Sequence, residues 1–231
     1  MKKLLLSLTM LAIISTPVLA KSPVANLKIN GDIKPPTCTI NGATQSDVIF
    51  DYGVISPTLI PQSTVYSYSD IGVQNTVTIE CDAKTYLTFV ASDTYADTEL
   101  SVNNTSGWFH LVDKANPETA VGAAFFAWDN VTVDSKPAYI SRANDVAITG
   151  NKFNNVLYKG PTNGWTSEQQ SDINKNSLSL ISGEIFQASF RQGLTMSTFI
   201  LSKDELSKKG IDLSNGLDFM GEAVLTFNFG V

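Results

Sequence analysis

Histidine occurs once in the 231 residues, cysteine twice, and only 16% of the chain is charged. A single histidine, His110, cannot build a metal site of clustered imidazoles. No Gly-x-Ser-x-Gly run is present, so the nucleophile elbow of one large hydrolase class is missing. Basic residues are outnumbered, 16 against 22, for a net charge of −6. That balance argues against a nucleic-acid partner, because phosphate backbones select for lysine and arginine. Beyond the first twenty residues no apolar run is long enough for a transmembrane helix. Internal repeats, low-complexity linkers and charge blocks are also lacking. Neither an enzyme nor a cofactor-binding or metal-binding protein is indicated, and the expected cofactor content is none.

What is present begins at the N-terminus. Lys2 and Lys3, an apolar stretch over residues 4–14, and Val18-Leu19-Ala20 make up a secretory signal pattern, so residues 1–20 read as a cleaved leader and Lys21 as the first exported residue. Both cysteines, Cys38 and Cys81, lie in the exported part. Outside the cytoplasm such a pair is most simply a disulfide, although two buried free thiols fit the same count.

Strand-like alternation dominates the rest. In "TVTIEC", Val77, Ile79 and Cys81 share one face; in "TYLTFVAS", Leu87, Phe89 and Ala91 do, with a short break at 82–84 between the two runs. "AAFFAWD", "EIFQASFRQ" and "STFILS" are further runs of residues suited to a pleated surface. Turn-forming clusters separate them. The one clear helix signal is "SKDELSKKG", where Ser202 and Glu205 form a capping box and Gly210 a stop. "TSEQQSDINKN" suits a short helix or a polar loop. Many short strands between turns indicate an all-β sandwich. Residues 93–179 are more polar and read as long central loops.

Several candidate sites fall in that middle. Trp108, Trp128 and Trp165 suit a sugar-stacking platform or ordinary packing. Asp93, Asp97 and Glu99 offer oxygen ligands but match no calcium-loop spacing. Asn103 and Asn130 fit the glycosylation acceptor pattern, and His110 reads as a structural or surface side chain. The last strand, "GEAVLTFNFGV", alternates to the end, with Ala223, Leu225, Phe227, Phe229 and Val231 on one face. Chain ends are usually polar and frayed, so an apolar last strand calls for a reason.

Three stretches together supply one: "GDIKPPTC" at 31–38, "FDYGVIS" at 50–56 followed by "TVTIEC", and the final "GEAVLTFNFGV" preceded by "IDLSNGLDF". With these the chain resembles the pilins of the chaperone–usher pathway, most closely the beta-fimbrial subunit family. The resemblance covers the first third of the exported chain and its last twenty or so residues. It implies an incomplete immunoglobulin-like sandwich over residues 31–231 that lacks one strand and is completed by a donated one. It implies that Ala223, Leu225, Phe227, Phe229 and Val231 border the acceptor groove and face a periplasmic chaperone, and that residues 21–30, with Ala25, Leu27 and Ile29 on one face, donate a strand to a neighbouring subunit. The implied partners are that chaperone, an outer-membrane usher and neighbouring fimbrial subunits, at the bacterial cell surface. The function implied is that of a structural subunit, with a tip adhesin or lectin-like subunit meeting a host receptor as the alternative. Phe229 stands where pilins commonly carry tyrosine, and the ten-residue extension is short for a donor.

Overall fold

The computed structural model describes residues 24–68, 73–100, 102, 105–192 and 198–230. Residues 1–23, with the expected leader at 1–20, and Asn103 and Val231 lie outside the described residues. The chain divides into two units, 1–34 and 35–231. Of the first, residues 24–34 form neither helix nor strand, and their side chains are exposed, Leu27 at 97% and Ile29 at 98%.

Among the described residues the second unit is all-β apart from one short helix and three 3-10 turns. Its strands are β1 (Cys38–Ile40), β2 (Tyr66–Ser67), β3 (Gln74–Thr85), β4 (Leu87–Asp93), β5 (Trp108–Asp113), β6 (Asn116–Val133), β7 (Lys136–Pro137), β8 (Tyr139–Arg142), β9 (Thr162–Thr166), β10 (Gly183–Gln192), β11 (Phe199–Ile200), β12 (Phe219–Met220) and β13 (Ala223–Phe229); the helix α1 spans Lys203–Lys208. They make two sheets. The larger has the order β1-β3-β10-β6-β11-β2, with β5 and β7 also pairing with β6 and β12 pairing with β5. The smaller has the order β13-β4-β9-β8, and all its pairs are antiparallel.

The two sheets enclose a main core. Val77 and Ile79 of β3 and Phe186 and Ala188 of β10 meet Leu87, Phe89 and Ala91 of β4, Ile140 of β8 and Trp165 of β9. The alternation read in "TVTIEC" and "TYLTFVAS" is the inward face of β3 and β4. No break separates the runs at 82–84, because Asp82, Ala83 and Lys84 continue β3 to Thr85. Cys38 and Cys81 stand opposite each other across β1 and β3 and are disulfide-bonded. Closing this loop restricts the unfolded chain by about 4 kcal/mol on the loop-entropy account.

The middle of the chain departs from expectation. It holds four substantial strands as well as the long loops 143–161 and 167–182. The longest strand of the described residues, β6, has 18 residues, and much of it is buried. Its alternation is hidden because both faces are covered: Val121 and Ala123 enter a second core with Leu111, Phe199, Ile200 and Leu206, whereas Trp128 and Val133 enter the main one. A strand covered on both faces reads as a continuous apolar run and loses its period-two signature. The helix forms where its capping box predicts it. Ser202 Oγ accepts from the Glu205 N–H at 3.2 Å, and Gly210, at φ 79°, ends the element in a conformation that glycine adopts without strain. "TSEQQSDINKN" is a loop containing only the single turn Lys175–Ser177.

Candidate functional site

The two edges of the smaller sheet differ. At one, β8 is covered. Arg142 N–H donates to Gln170 C=O at 3.1 Å, and the Gln169 side-chain amide donates to Ile140 C=O at 3.1 Å. Ser141 Oγ accepts from Gln170 N–H at 2.8 Å and donates to Glu168 C=O at 3.0 Å. The loop after β9 therefore caps this edge, one of the ways proteins blunt an exposed row of backbone donors and acceptors.

At the other edge, β13 pairs with β4 and, among the described residues, with no other strand. The bonds from Thr94 N–H to Glu222 C=O and from Gly230 N–H to Tyr86 C=O set the phase of that ladder. In an antiparallel pair the bonded positions alternate. The even-numbered residues therefore bond to β4, and the backbone groups of Ala223, Leu225, Phe227 and Phe229 point to the free side. Ala223, Leu225 and Phe227 also direct their side chains at the main core, but all three are only partly buried. Phe227 joins an aromatic row with Phe89 at 5.8 Å and Trp165 at 6.4 Å between ring centroids. Their neighbours on β4, Leu87, Phe89 and Ala91, are all but sealed from solvent. The expected face thus runs from Ala223 to Phe227. Phe229 is 50% exposed, although Leu87, opposite it on β4, is sealed in the main core.

A second length of unpaired backbone borders the same core. Residues 44–56 belong to no helix or strand, and Val48 and Phe50 pack inward, Phe50 against Phe126 with centroids 5.2 Å apart. Asn75 Nδ2 fixes Ile49 C=O at 3.0 Å. Further on, the Tyr52 hydroxyl meets Thr198 Oγ1 at 3.0 Å; burial pushes this phenol up to about 12 despite that hydrogen bond, which acts to lower it. Nothing in composition marks 44–56 as a border. The inward alternation of Val48 and Phe50 in "DVIFDYG" is the signal that finds it.

The other candidates are dispersed. Trp165 and Trp128 are buried in the main core, Trp128 edge-on to Phe190, while Trp108 packs on Phe199 beside the second core. A stacking platform needs exposed, coplanar faces, and these three rings fill space between strands instead. Asn130 is exposed, at φ 48°. Among the described residues no group of three or more His, Cys, Asp or Glu side chains is arranged to hold a metal ion. His110 is not at the surface. It is fully buried, because β5 is covered on both faces, and its Nδ1 lies 2.6 Å from Asp93 Oδ2. Asp93 also accepts from the backbone N–H of His110 and of Tyr95, each at 3.0 Å, and faces Lys159 Nζ at 3.4 Å. Burial pushes the Asp93 carboxyl up, but these bonds outweigh it and hold the group below the ordinary carboxylate range.

The fold defines a two-sheet antiparallel β-sandwich whose last described strand, β13, is paired on one side and, among the described residues, open on the other. Over residues 27–125 the chain matches a family described as "Protein of unknown function (DUF1120)". That stretch holds the disulfide and ends inside β6, short of β13. No curated protein and no solved structure matches the chain.

Proposed function

We propose that the chain is a fimbrial subunit of the chaperone–usher type, an immunoglobulin-like sandwich short of one strand. Its groove is filled first by a strand of a periplasmic chaperone and then by the N-terminal arm of a neighbouring subunit, delivered through an outer-membrane usher to the cell surface. The observation that carries this reading is the free edge of β13, where outward backbone groups coincide with half-buried apolar side chains. Strand addition needs that combination: main-chain bonds supply affinity and alternate side-chain pockets supply specificity. Strand order supports the finer fold class. An immunoglobulin sandwich has A-B-E-D in one sheet and C-F-G in the other. Here β1-β3-β10-β6 follows the first order and β4-β13 the start of the second, with the place of G unfilled.

The arm supports the donor half of the proposal. Leu27 and Ile29 alternate with Lys28 and Asn30 in an exposed segment without secondary structure, and the compact unit begins only at Pro35. The free arm therefore continues past Asn30 to Lys34, beyond the ten residues that the sequence pattern marks. One observation favours the alternative of a tip or receptor-binding subunit: the second core and α1 form an added lobe with a cleft of about 560 Å³ lined in part by Asp113, Lys114, Asp212 and Asp218.

The test is refolding of the exported chain without chaperone, read on a detergent gel. A ladder of detergent-resistant oligomers is expected from the parent chain and only monomer from Leu27→Asp. A parent chain that stays monomeric at all concentrations would contradict the structural-subunit reading and favour the alternative.

A further inference from the structure

The disulfide joins two strands of one sheet, so it does not tie the sheets together. The Asp93 cluster does. Asp93 ends β4 in the smaller sheet and stands opposite Ala223, the first residue of β13. His110 belongs to β5 in the larger sheet, and Lys159 comes from the segment between β8 and β9. The chain passes over this point on its way into β13. After β12 pairs with β5, Gly221 packs on the backbone of His110, where an added Cβ would lie 2.7 Å from the His110 carbonyl oxygen. Thr94 then bonds Glu222 by backbone and by side chain. A buried carboxylate with four donors thus sits where the open-edge strand begins.

We propose that Asp93, His110 and Lys159 form an acid-releasable pin that fixes the start of β13 against the larger sheet and so sets the width of the open edge. The proposal rests on the open-edge reading for its consequence but not for its geometry. The ionisable groups facing Asp93 are His110 from β5 and Lys159 from the β8–β9 segment; on its own side the turn contributes only the Tyr95 N–H, and Glu222 is engaged by Thr94. Lys159 Nζ also lies 5.9 Å from the Phe109 ring centroid, which steadies it near the carboxylate. At neutral pH Asp93 is ionised and accepts all four bonds. Because its affinity for protons is lower in the folded chain than in the unfolded one, its contribution is complete above the unfolded carboxylate range, near ~4, and is lost as pH falls through its folded value. Protonation removes the attraction for Lys159 and the charge assistance of the His110 bonds.

The experiment uses the exported chain, Asp93→Asn and Lys159→Met, the last a partly exposed position that tolerates an apolar stem. Hydrogen exchange at pH 7 reads the amides of Val224, Thr226 and Asn228, which bond to β4, against those of β9 as an internal reference. The expected result is about tenfold faster exchange at β13 in both variants with β9 unchanged, and a urea midpoint that falls less steeply than the parent's between pH 5 and pH 3. Equal exchange at β13, or an acid dependence identical to the parent's, overturns the pin. If Asp93→Asn fails to fold, Lys159→Met alone decides. Binding of a peptide spanning residues 21–34 to the parent at pH 7 is the separate arm: its absence counts against the open edge as a receptor, whereas exchange and urea alone decide whether the pin exists.

Discussion

The two edges of the smaller sheet solve opposite problems. β8 ends the sheet under a cap supplied by Glu168, Gln169 and Gln170, and its inward residues Ile140 and Arg142 are buried. β13 ends the same sheet with, among the described residues, no strand beyond it, and its inward residues are half-buried. An unmanaged apolar edge is an aggregation hazard. An edge left open in this way is what the proposed strand addition needs. The contrast puts the proposed acceptor beside the strand whose core face is only partly covered.

The contrast can be broken most severely at the aromatic row. Phe89→Ala should cost about 3–5 kcal/mol, the usual loss for a sealed phenylalanine. Phe227→Ala, one strand nearer the open side, should cost about half as much, because part of its ring is already in solvent. Urea denaturation of both variants measures the difference. Equal costs would mean that β13 is an ordinary core strand. With the 21–34 peptide bound, the cost of Phe227→Ala should rise towards that of Phe89→Ala.

At the capped edge, Ser141→Ala removes the acceptor for Gln170 N–H and the donor to Glu168 C=O in a buried setting. A loss of about 1–3 kcal/mol is expected. Light scattering should also show faster association, since the cap is loosened. Unchanged stability and solubility would show that the loop after β9 is held by other contacts. A change of charge at the half-exposed Phe229 should cost less. Phe229→Asp is expected to lower stability by about 1 kcal/mol or less while reducing recovery of a chaperone complex from the periplasm. Normal recovery would confine the partner contacts to residues 223–227.

The smallest effect on stability is expected in the arm. Leu27→Asp and Lys28→Asp should each leave the urea-derived stability within about 0.5 kcal/mol of the parent, because both residues are exposed and outside any strand. They should differ only in assembly, with Leu27→Asp blocking the oligomer ladder and Lys28→Asp leaving it intact, since a strand buries alternate residues. If Leu27→Asp unfolds the chain, the arm is part of its own fold.

Legibility in the sequence follows one-sided burial. β3, β4 and β13 carry water or an unfilled space on one face and a core on the other, so their period of two survives and can be read. β6 and β5 are covered on both faces, which erases the period and makes residues 93–179 look irregular. His110 reads as either a structural or a surface side chain for the same reason: the sequence does not show whether the face opposite Phe109 and Leu111 is covered, and the structure has it buried against Asp93. The tryptophans suit a platform or ordinary packing alike because residue type says nothing about whether a ring enters a core. The capped edge of β8 is invisible in the sequence, since it depends on a loop some thirty residues away. The inward face of β13 is legible in its alternation, whereas its place at an edge enters only with the resemblance, because a period of two says nothing about which strands are neighbours.

The 18-residue β6 has a further consequence. One continuous strand furnishes both the main core and the second one, so the added lobe has no separate melting of its own. Heating should give a single calorimetric peak whose van't Hoff and measured enthalpies agree, and excising the lobe should abolish the native state altogether instead of leaving a minimal sandwich behind.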